Sequence, residues 1–354
     1  MNDAEKYRSL IAPRRGDEPF QALRRDFVRK YPQFDSSNTW YINVYGGIGD
    51  ALAILGHLRE FRRVHQASRI ILLSRQSLSD LLSFYGEDFD AAIWLENDFP
   101  LGPQYGDRFE PNSLICSSKS YVFRGAWIDF AVSNRIPVFD WFKFGLRLPM
   151  NAAFRHPGIP RISHDLERKL ASSGLAQSRS VILFPYTNFG PRLSLGFWER
   201  LADALLQSGY NVFTNIRNSN TNPLAVSKQH ETRSDYPPIQ GTKALSCGIA
   251  DVVMALEFAG FGLFGSGGMA FLGACTAAFA GVIYADETWV AADIDSTCER
   301  DVKWGPTQLH DSVKRSLPNR PNLHEFVSGE SVIEEICAEL QRRQATSRVD
   351  LRGQ

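Results

Sequence analysis

"YINVYGGIGDALAILGHLREFRR", residues 41–63, decides how the rest of the chain is read. An apolar run of strand length meets a turn with glycine at 46, 47 and 49, and Asp50 stands at the seam. Ala51, Ile54, Leu55, Leu58 and Phe61 then recur at helical spacing, so one amphipathic helix is expected from Ala51 onward. Strand, turn and helix in that order form the repeating unit of a parallel sheet. Glycine lets a ligand come close to the backbone or lets φ become positive. The helix that follows offers unpaired N–H groups at the positive end of its dipole. Gly46, Gly47 and Gly49 are therefore read as a turn that phosphate or acceptor groups can approach. Asp50 has two readings: an N-cap of the helix at Ala51, or a carboxylate that takes a proton from an attacking hydroxyl.

The same alternation continues outward. "RIILLS" (69–74) and "AAIWLE" (91–96) read as strands around the short helical stretch "QSLSDLLSFYG". Residues 98–160 are aromatic and irregular, and are read as loops, a helix or two and a crossing between domains. A second alternation begins near residue 180. "SVILFPY" is a strand, "LGFWERLADALLQSG" a helix closed by Gly209, and "YNVFTNI" a strand. "CGIADVVMALEFAG" is a helix, "FGLFG" a strand, "GGMAFLGACT" a helix, "FAGVIYA" a strand, and a last amphipathic helix covers 330–344. The expected organisation is a basic helical extension at 1–39, an α/β domain at 40–160, a second at 161–330, and a C-terminal helix and tail at 331–354.

Composition removes several classes. Thirty-nine basic residues balance 39 acidic ones, so no global field marks a nucleic-acid binder. Five cysteines, scattered and without a C-x-x-C pair, indicate neither a disulfide framework nor a zinc site, and suit a reducing cytoplasm. The N-terminus lacks the apolar core of a secretory signal. Residues 258–285 carry no charge, but Gly265, Gly267 and Gly268 interrupt them, so they read as buried strand, turn, helix and strand rather than a membrane span. Arg14, Arg15, Arg24, Arg25, Arg29 and Lys30 make the first 35 residues basic. They are read as a solvated helix or as a surface for peripheral contact with anionic membrane.

Two further loops carry candidate ligand groups. Gly265-x-Gly267-x-x-Ala270 follows a strand and opens a helix, as a dinucleotide fingerprint does. Ser266, Gly267, Gly268 and Met269 equally suit any diphosphate at a helix N-terminus. By contrast Gly47-Ile48-Gly49 lacks the third glycine, having Leu52 there. In "FPYTNFGPRLSLGFWERL" the side chains of Thr187, Asn188 and Arg192 crowd the end of a strand, where ligands of open α/β sheets collect. Arg192 is read as a partner for phosphate oxygens or as a solvated charge. The triplets Asp88-Phe89-Asp90 and Asp293-Ile294-Asp295 are too short to establish a metal site, and His57 is not an evident partner of Asp50.

Taken together, these segments resemble glycosyltransferase family 9, the heptosyltransferase-like enzymes. The family's G-x-G-D turn and "LR-x-L/F-R" helix end correspond to Gly47-Ile48-Gly49-Asp50 and Leu58-Arg59-Glu60-Phe61-Arg62. Its polar loop, Lys and Trp-bearing helix correspond to Thr187, Asn188, Arg192 in place of the Lys, and Trp198. A "G-x-x-S/D-L" segment is echoed by "QGTKALSCGIADVVMAL", and D-[ST]-G-x-x-H-L-A by Gly265–Phe271, with Gly265 and Ala270 in place of the Asp and His. The resemblance covers residues 40–290. It implies a GT-B fold of class α/β, two Rossmann-like parallel-sheet domains facing across a cleft. It further implies an inverting transfer without metal or other cofactor. A nucleotide-sugar donor would be held mainly by the second domain, through Thr187, Asn188, Arg192 and Ser266–Met269, and the acceptor would be a glycolipid or saccharide. Asp50 would be the base. The expected location is the cytoplasm, either free in it or peripheral at the inner face of the membrane. Gly265 and Ala270 imply altered sugar contacts. An NAD(P)-dependent oxidoreductase using the 265–270 turn, or a catalytically silent GT-B scaffold, are the alternatives.

Overall fold

A computed structural model of the 354-residue chain describes residues 25–26, 28–34, 39–44, 48–95, 109–110, 113–114, 140, 142–143, 146–176, 179–185, 193–216, 238–265, 267–285, 289–290, 303–304 and 322–350. By its contacts the chain divides into two compact units. Unit 1 is Met1–Pro157 with Val290–Lys303 and Asp311–Ser316; unit 2 is Gly158–Trp289 with Trp304–His310 and Leu317–Gln354.

In unit 1 the opening stretch forms β1 (Thr39–Val44), α1 (Ile48–Leu55) and α2 (Leu58–His65), followed by β2 (Arg69–Arg75), α3 (Ser79–Ser83) and β3 (Ala91–Leu95). Two short strands, β4 (Phe109–Glu110) and β5 (Ser113–Leu114), complete a sheet of order β3-β2-β1-β5-β4. It is parallel except for the β4–β5 pair. Tyr41, Ile42 and Val44 of β1 and Ile70–Leu73 of β2 are buried, which is why these runs are apolar without clean alternation.

Two expectations are corrected here. The predicted single helix is two, broken at Gly56–His57. The carbonyl of Gly56 accepts from the backbone N–H of Arg155 at 2.7 Å, and the Phe154 ring lies where a Cβ at residue 56 would be, 2.1 Å from its Cε2. The His57 N–H turns to Ile54 O at 3.1 Å, and its ring nitrogen Nδ1 lies 2.6 Å from Ala53 O instead. Asp50, in turn, is not the N-cap. Ile48 is 4% exposed and brings the helix start three residues earlier than Ala51, so Asp50 lies within the first turn.

Unit 2 begins with a helix the sequence pattern does not single out, α4 (His164–Ser172), capped by Ser163 Oγ accepting from Leu166 N at 3.2 Å. Then come β6 (Ser180–Phe184), α5 (Leu195–Gln207), β7 (Asn211–Asn215), β8 (Lys243–Leu245), α6 (Ile249–Ala259), β9 (Phe261–Gly265), α7 (Gly268–Ala274) and β10 (Phe279–Tyr284). Next in the chain, β11 (Trp289–Val290) and β12 (Lys303–Trp304) pair in a separate two-stranded sheet that belongs to neither unit alone, and unit 2 closes with β13 (Leu323–Val327) and α8 (Val332–Asp350). Gly209 ends α5 with φ +83°, and Gly260 ends α6 with φ +84°, both in the left-handed region that closes helices.

The second sheet runs β13-β10-β9-β6-β7-β8, every pair parallel. Numbered within the unit and read from β8, this is the 3-2-1-4-5-6 order of the Rossmann fold. Trp198, Leu201 and Leu205 of α5 and Ile336 and Leu340 of α8 pack with Val181, Leu183 and Leu263 of the sheet, so the C-terminal helix belongs to this core. The uncharged run 258–285 is the end of α6, then β9, α7 and β10. Among the described residues no helix is long and apolar enough to cross a membrane.

Candidate functional site

In an open α/β sheet, ligands collect beyond the carboxyl ends of the strands where the strand order reverses. Among the described residues each unit has one such point. In unit 1 the chain leaves β1 for β2 and β3 on one side and returns on the other side at β5. β1 ends at Val44, and Gly49 and Asp50, both half-buried, occupy the first turn of α1. A carboxylate there is favoured by the helix dipole. Gly46 and Gly47 lie outside the described residues.

In unit 2 the reversal falls between β6 and β9. The carboxyl end of β9 is Gly265, and Gly267, Gly268 and Met269 follow it, half-buried, at the start of α7. Thr187, Asn188 and Arg192, which follow β6 in sequence, and Ser266 lie outside the described residues. Gly267 has φ 164° and ψ −174°, extended backbone open to any residue. A Cβ at Gly265 would make only ordinary contacts, 3.7 Å from Phe184 O, Pro185 O and Trp198 Cζ2. Neither glycine is demanded by strain. The close helix–strand approach is instead at Gly273, where a Cβ would lie 2.4 Å from Phe264 Cζ. That ring is itself stacked on Phe184 at 4.3 Å. The glycine turn follows the fourth strand of the unit, whereas a dinucleotide fingerprint follows the first.

Two carboxylates of unit 1 are held by arginines. Asp88, 3% exposed, accepts from Arg59 Nε at 3.3 Å and from Arg155 Nη1. Asp90 accepts from Arg62 at 2.8 Å, Arg69 at 3.0 Å and Ile70 N at 2.7 Å. Burial raises the Asp90 pKa, but the Ile70 N–H and the two arginines outweigh it and hold the carboxyl below its usual range. These carboxylates serve as ion-pair partners of arginine, which accounts for the first D-x-D triplet structurally; Asp293 and Asp295 lie outside the described residues. His57 is fully buried, and burial brings its pKa from 6.5 to about 4, against the opposing effect of the Ala53 carbonyl. It is a neutral structural histidine of the α1–α2 junction. Sequence reasoning passes over Phe154 and Arg155, because nothing local to them shows that they dock on α1.

No family model matches the sequence, and no curated protein matches it in sequence. Among solved structures the likeness is extensive. The fold is of the GT-B class, two Rossmann-like α/β units with parallel sheets, shared with enzymes that transfer sugars. The ADP-heptose LPS heptosyltransferase II of E. coli superposes with a TM-score of 0.54 at 12% identity, over 88% of this chain and 99% of that one. The glycosyl transferase family 9 protein from Veillonella parvula gives 0.51 at 12% identity, again over 88% and 99%. The chain thus resembles glycosyltransferase family 9 in fold along most of its length.

Proposed function

We propose that the protein is a metal-independent, inverting glycosyltransferase that moves a sugar from a nucleotide-sugar donor to a glycolipid or surface-polysaccharide acceptor. The observation that carries this reading is that each sheet has a point where its strand order reverses, followed in the chain by a glycine-rich run, and that Asp50 lies in the first turn of the helix after the first of these points. Two such sites in one chain suit a reaction with two substrates. Residues 40–160 would take the acceptor and 161–330 the donor. One structural neighbour is named for an ADP-heptose substrate, which supports a nucleotide sugar as the donor class. Gly265 and Ala270 favour a sugar other than heptose.

In this mechanism the acceptor hydroxyl attacks the anomeric carbon from the face opposite the diphosphate. The new C–O bond forms as the bond to the diphosphate breaks, and the hydroxyl proton passes to Asp50. Thr187, Asn188, Arg192 and the backbone N–H groups of Ser266, Gly267, Gly268 and Met269 hold the nucleoside diphosphate and stabilise the charge that develops on it. Gly46, Gly47 and Gly49 leave room for the acceptor at the seam. The reaction would take place in the cytoplasm, with the basic residues before 36 resting on anionic lipid.

The test is a thermal-shift titration with ADP, UDP, GDP and CMP, their sugar conjugates and NAD(H), followed by transfer and donor-hydrolysis assays with any ligand that binds. Ligand that binds only the native state raises its stability with concentration. Stabilisation by a nucleotide sugar with release of nucleotide is expected. Stabilisation by NAD(H) alone would replace this reading by an oxidoreductase, and donor binding without turnover would replace it by a silent scaffold.

A further inference from the structure

The segment just before Pro157, where the first long run of unit 1 ends, is held against the rear of the Asp50 helix. Arg155 N–H donates to Gly56 O at 2.7 Å, taking a carbonyl that the broken helix leaves free. The Phe154 ring covers Gly56 so closely that a Cβ there would overlap it, and it meets the His57 ring edge-on at 5.5 Å. The far side of the segment is anchored too. Tyr85 Oη donates to Arg155 O at 3.4 Å, and the Arg155 guanidinium bonds the buried Asp88 carboxylate and reaches Glu87 at 3.5 Å.

The helix held in this way has only eight residues. A helix so short does not keep its own conformation in water, so its place depends on what it is packed against. Asp50 lies six residues before Gly56, roughly 9 Å along the axis at the helical rise. A shift at the rear of so short a rod is transmitted to its front.

We propose that Phe154 and Arg155 are positioning residues for Asp50: by stopping α1 at Gly56 they set where its first turn stands. The inference rests on the role given to Asp50 above. Gly56→Ala is the direct perturbation. Gly56 does not have a positive φ, and alanine is the better helix former, so any loss must come through the displaced Phe154 ring. Asp88→Asn loosens the same segment from the other end without touching α1.

With the nucleotide sugar and acceptor that the wild-type protein uses, both variants should lose kcat by roughly 10–100-fold, as sub-ångström to ångström misplacement of a reacting group does. The KM for donor and the donor Kd should not change. In Gly56→Ala/Phe154→Leu the methyl group occupies space the ring vacates, and kcat should recover. The proposal is overturned if either single variant folds and turns over at the wild-type rate, or if the folded double variant is as slow as Gly56→Ala. Should Gly56→Ala not fold, Asp88→Asn decides by the same criterion. A wild-type protein that transfers no sugar would remove the glycosyltransferase reading and this one with it; an active wild type with equally active variants would remove this one alone.

Discussion

Replacing His57 by asparagine removes one titrating ring from the α1–α2 junction while keeping an N–H where the ring's Nδ1 lies. In the folded protein that Nδ1 donates to Ala53 O at 2.6 Å, and Nε2 is buried without a partner among the described residues. The ring is therefore held neutral. Burial, aided by the Lys143 ammonium, brings its pKa from 6.5 to about 4, against the Ala53 carbonyl and the carboxylates of Asp140 and Glu60. Between these values the unfolded chain binds a proton that the folded chain does not, so stability rises with pH across that window. It is complete above pH 6.5 and is lost as pH falls toward about 4. At about 1.4 kcal/mol for each tenfold change, the loss is about 3 kcal/mol. His65 is shifted down by burial as well and adds to the wild-type slope in the same direction, so the informative quantity is the difference between wild type and His57→Asn. Urea unfolding of both proteins at a series of pH values from 7.5 to 4 measures it. The wild type should lose about 3 kcal/mol more than the variant over this interval. Parallel curves, or an NMR titration of the His57 ring with a midpoint near 6.5, would refute the reasoning.

Four other outcomes are expected. Asp50→Asn keeps side-chain size but cannot take a proton. Turnover should fall roughly 10²–10⁴-fold with donor Kd unchanged, and a folded variant with wild-type kcat would remove Asp50 from the chemistry. Gly273→Ala should lose roughly 1–3 kcal/mol in a denaturation assay, because its methyl meets a Phe264 ring already stacked on Phe184. Gly265→Ala should leave stability unchanged, and equal effects at the two positions would contradict the packing described. Saturating EDTA should leave transfer unchanged; activity lost and restored by Mn²⁺ would bring Asp293 and Asp295 back as metal ligands.

The elements that sequence alone determined are those whose signal is local. In β1, β2, β6, β9 and β10, short apolar runs are bounded by turn residues, and in α5 and α6 helical periodicity ends on Gly209 and Gly260. From them the α/β class, the parallel pairing and the two glycine turns followed. Edge elements were less legible. β8 is three residues long, and β13 carries His324 and Glu325 because an edge strand is only partly buried. α4 has only Leu166 and Leu170 buried, which is too few to mark a face. Tertiary structure decided the rest. The pattern Ala51, Ile54, Leu55, Leu58, Phe61 reads as one helix, whereas the structure breaks it at Gly56, where Phe154 and Arg155, far along the chain, dock. The sequence pointed to Asp50, but whether it caps α1 or lies inside its first turn depended on Ile48 finding the core. Which glycines of the second turn are needed for packing depended on where the Phe264 and Phe184 rings meet. Periodicity reports the face a residue presents; it carries no information about which distant side chain arrives at that face, because that is set by the packing of the whole unit.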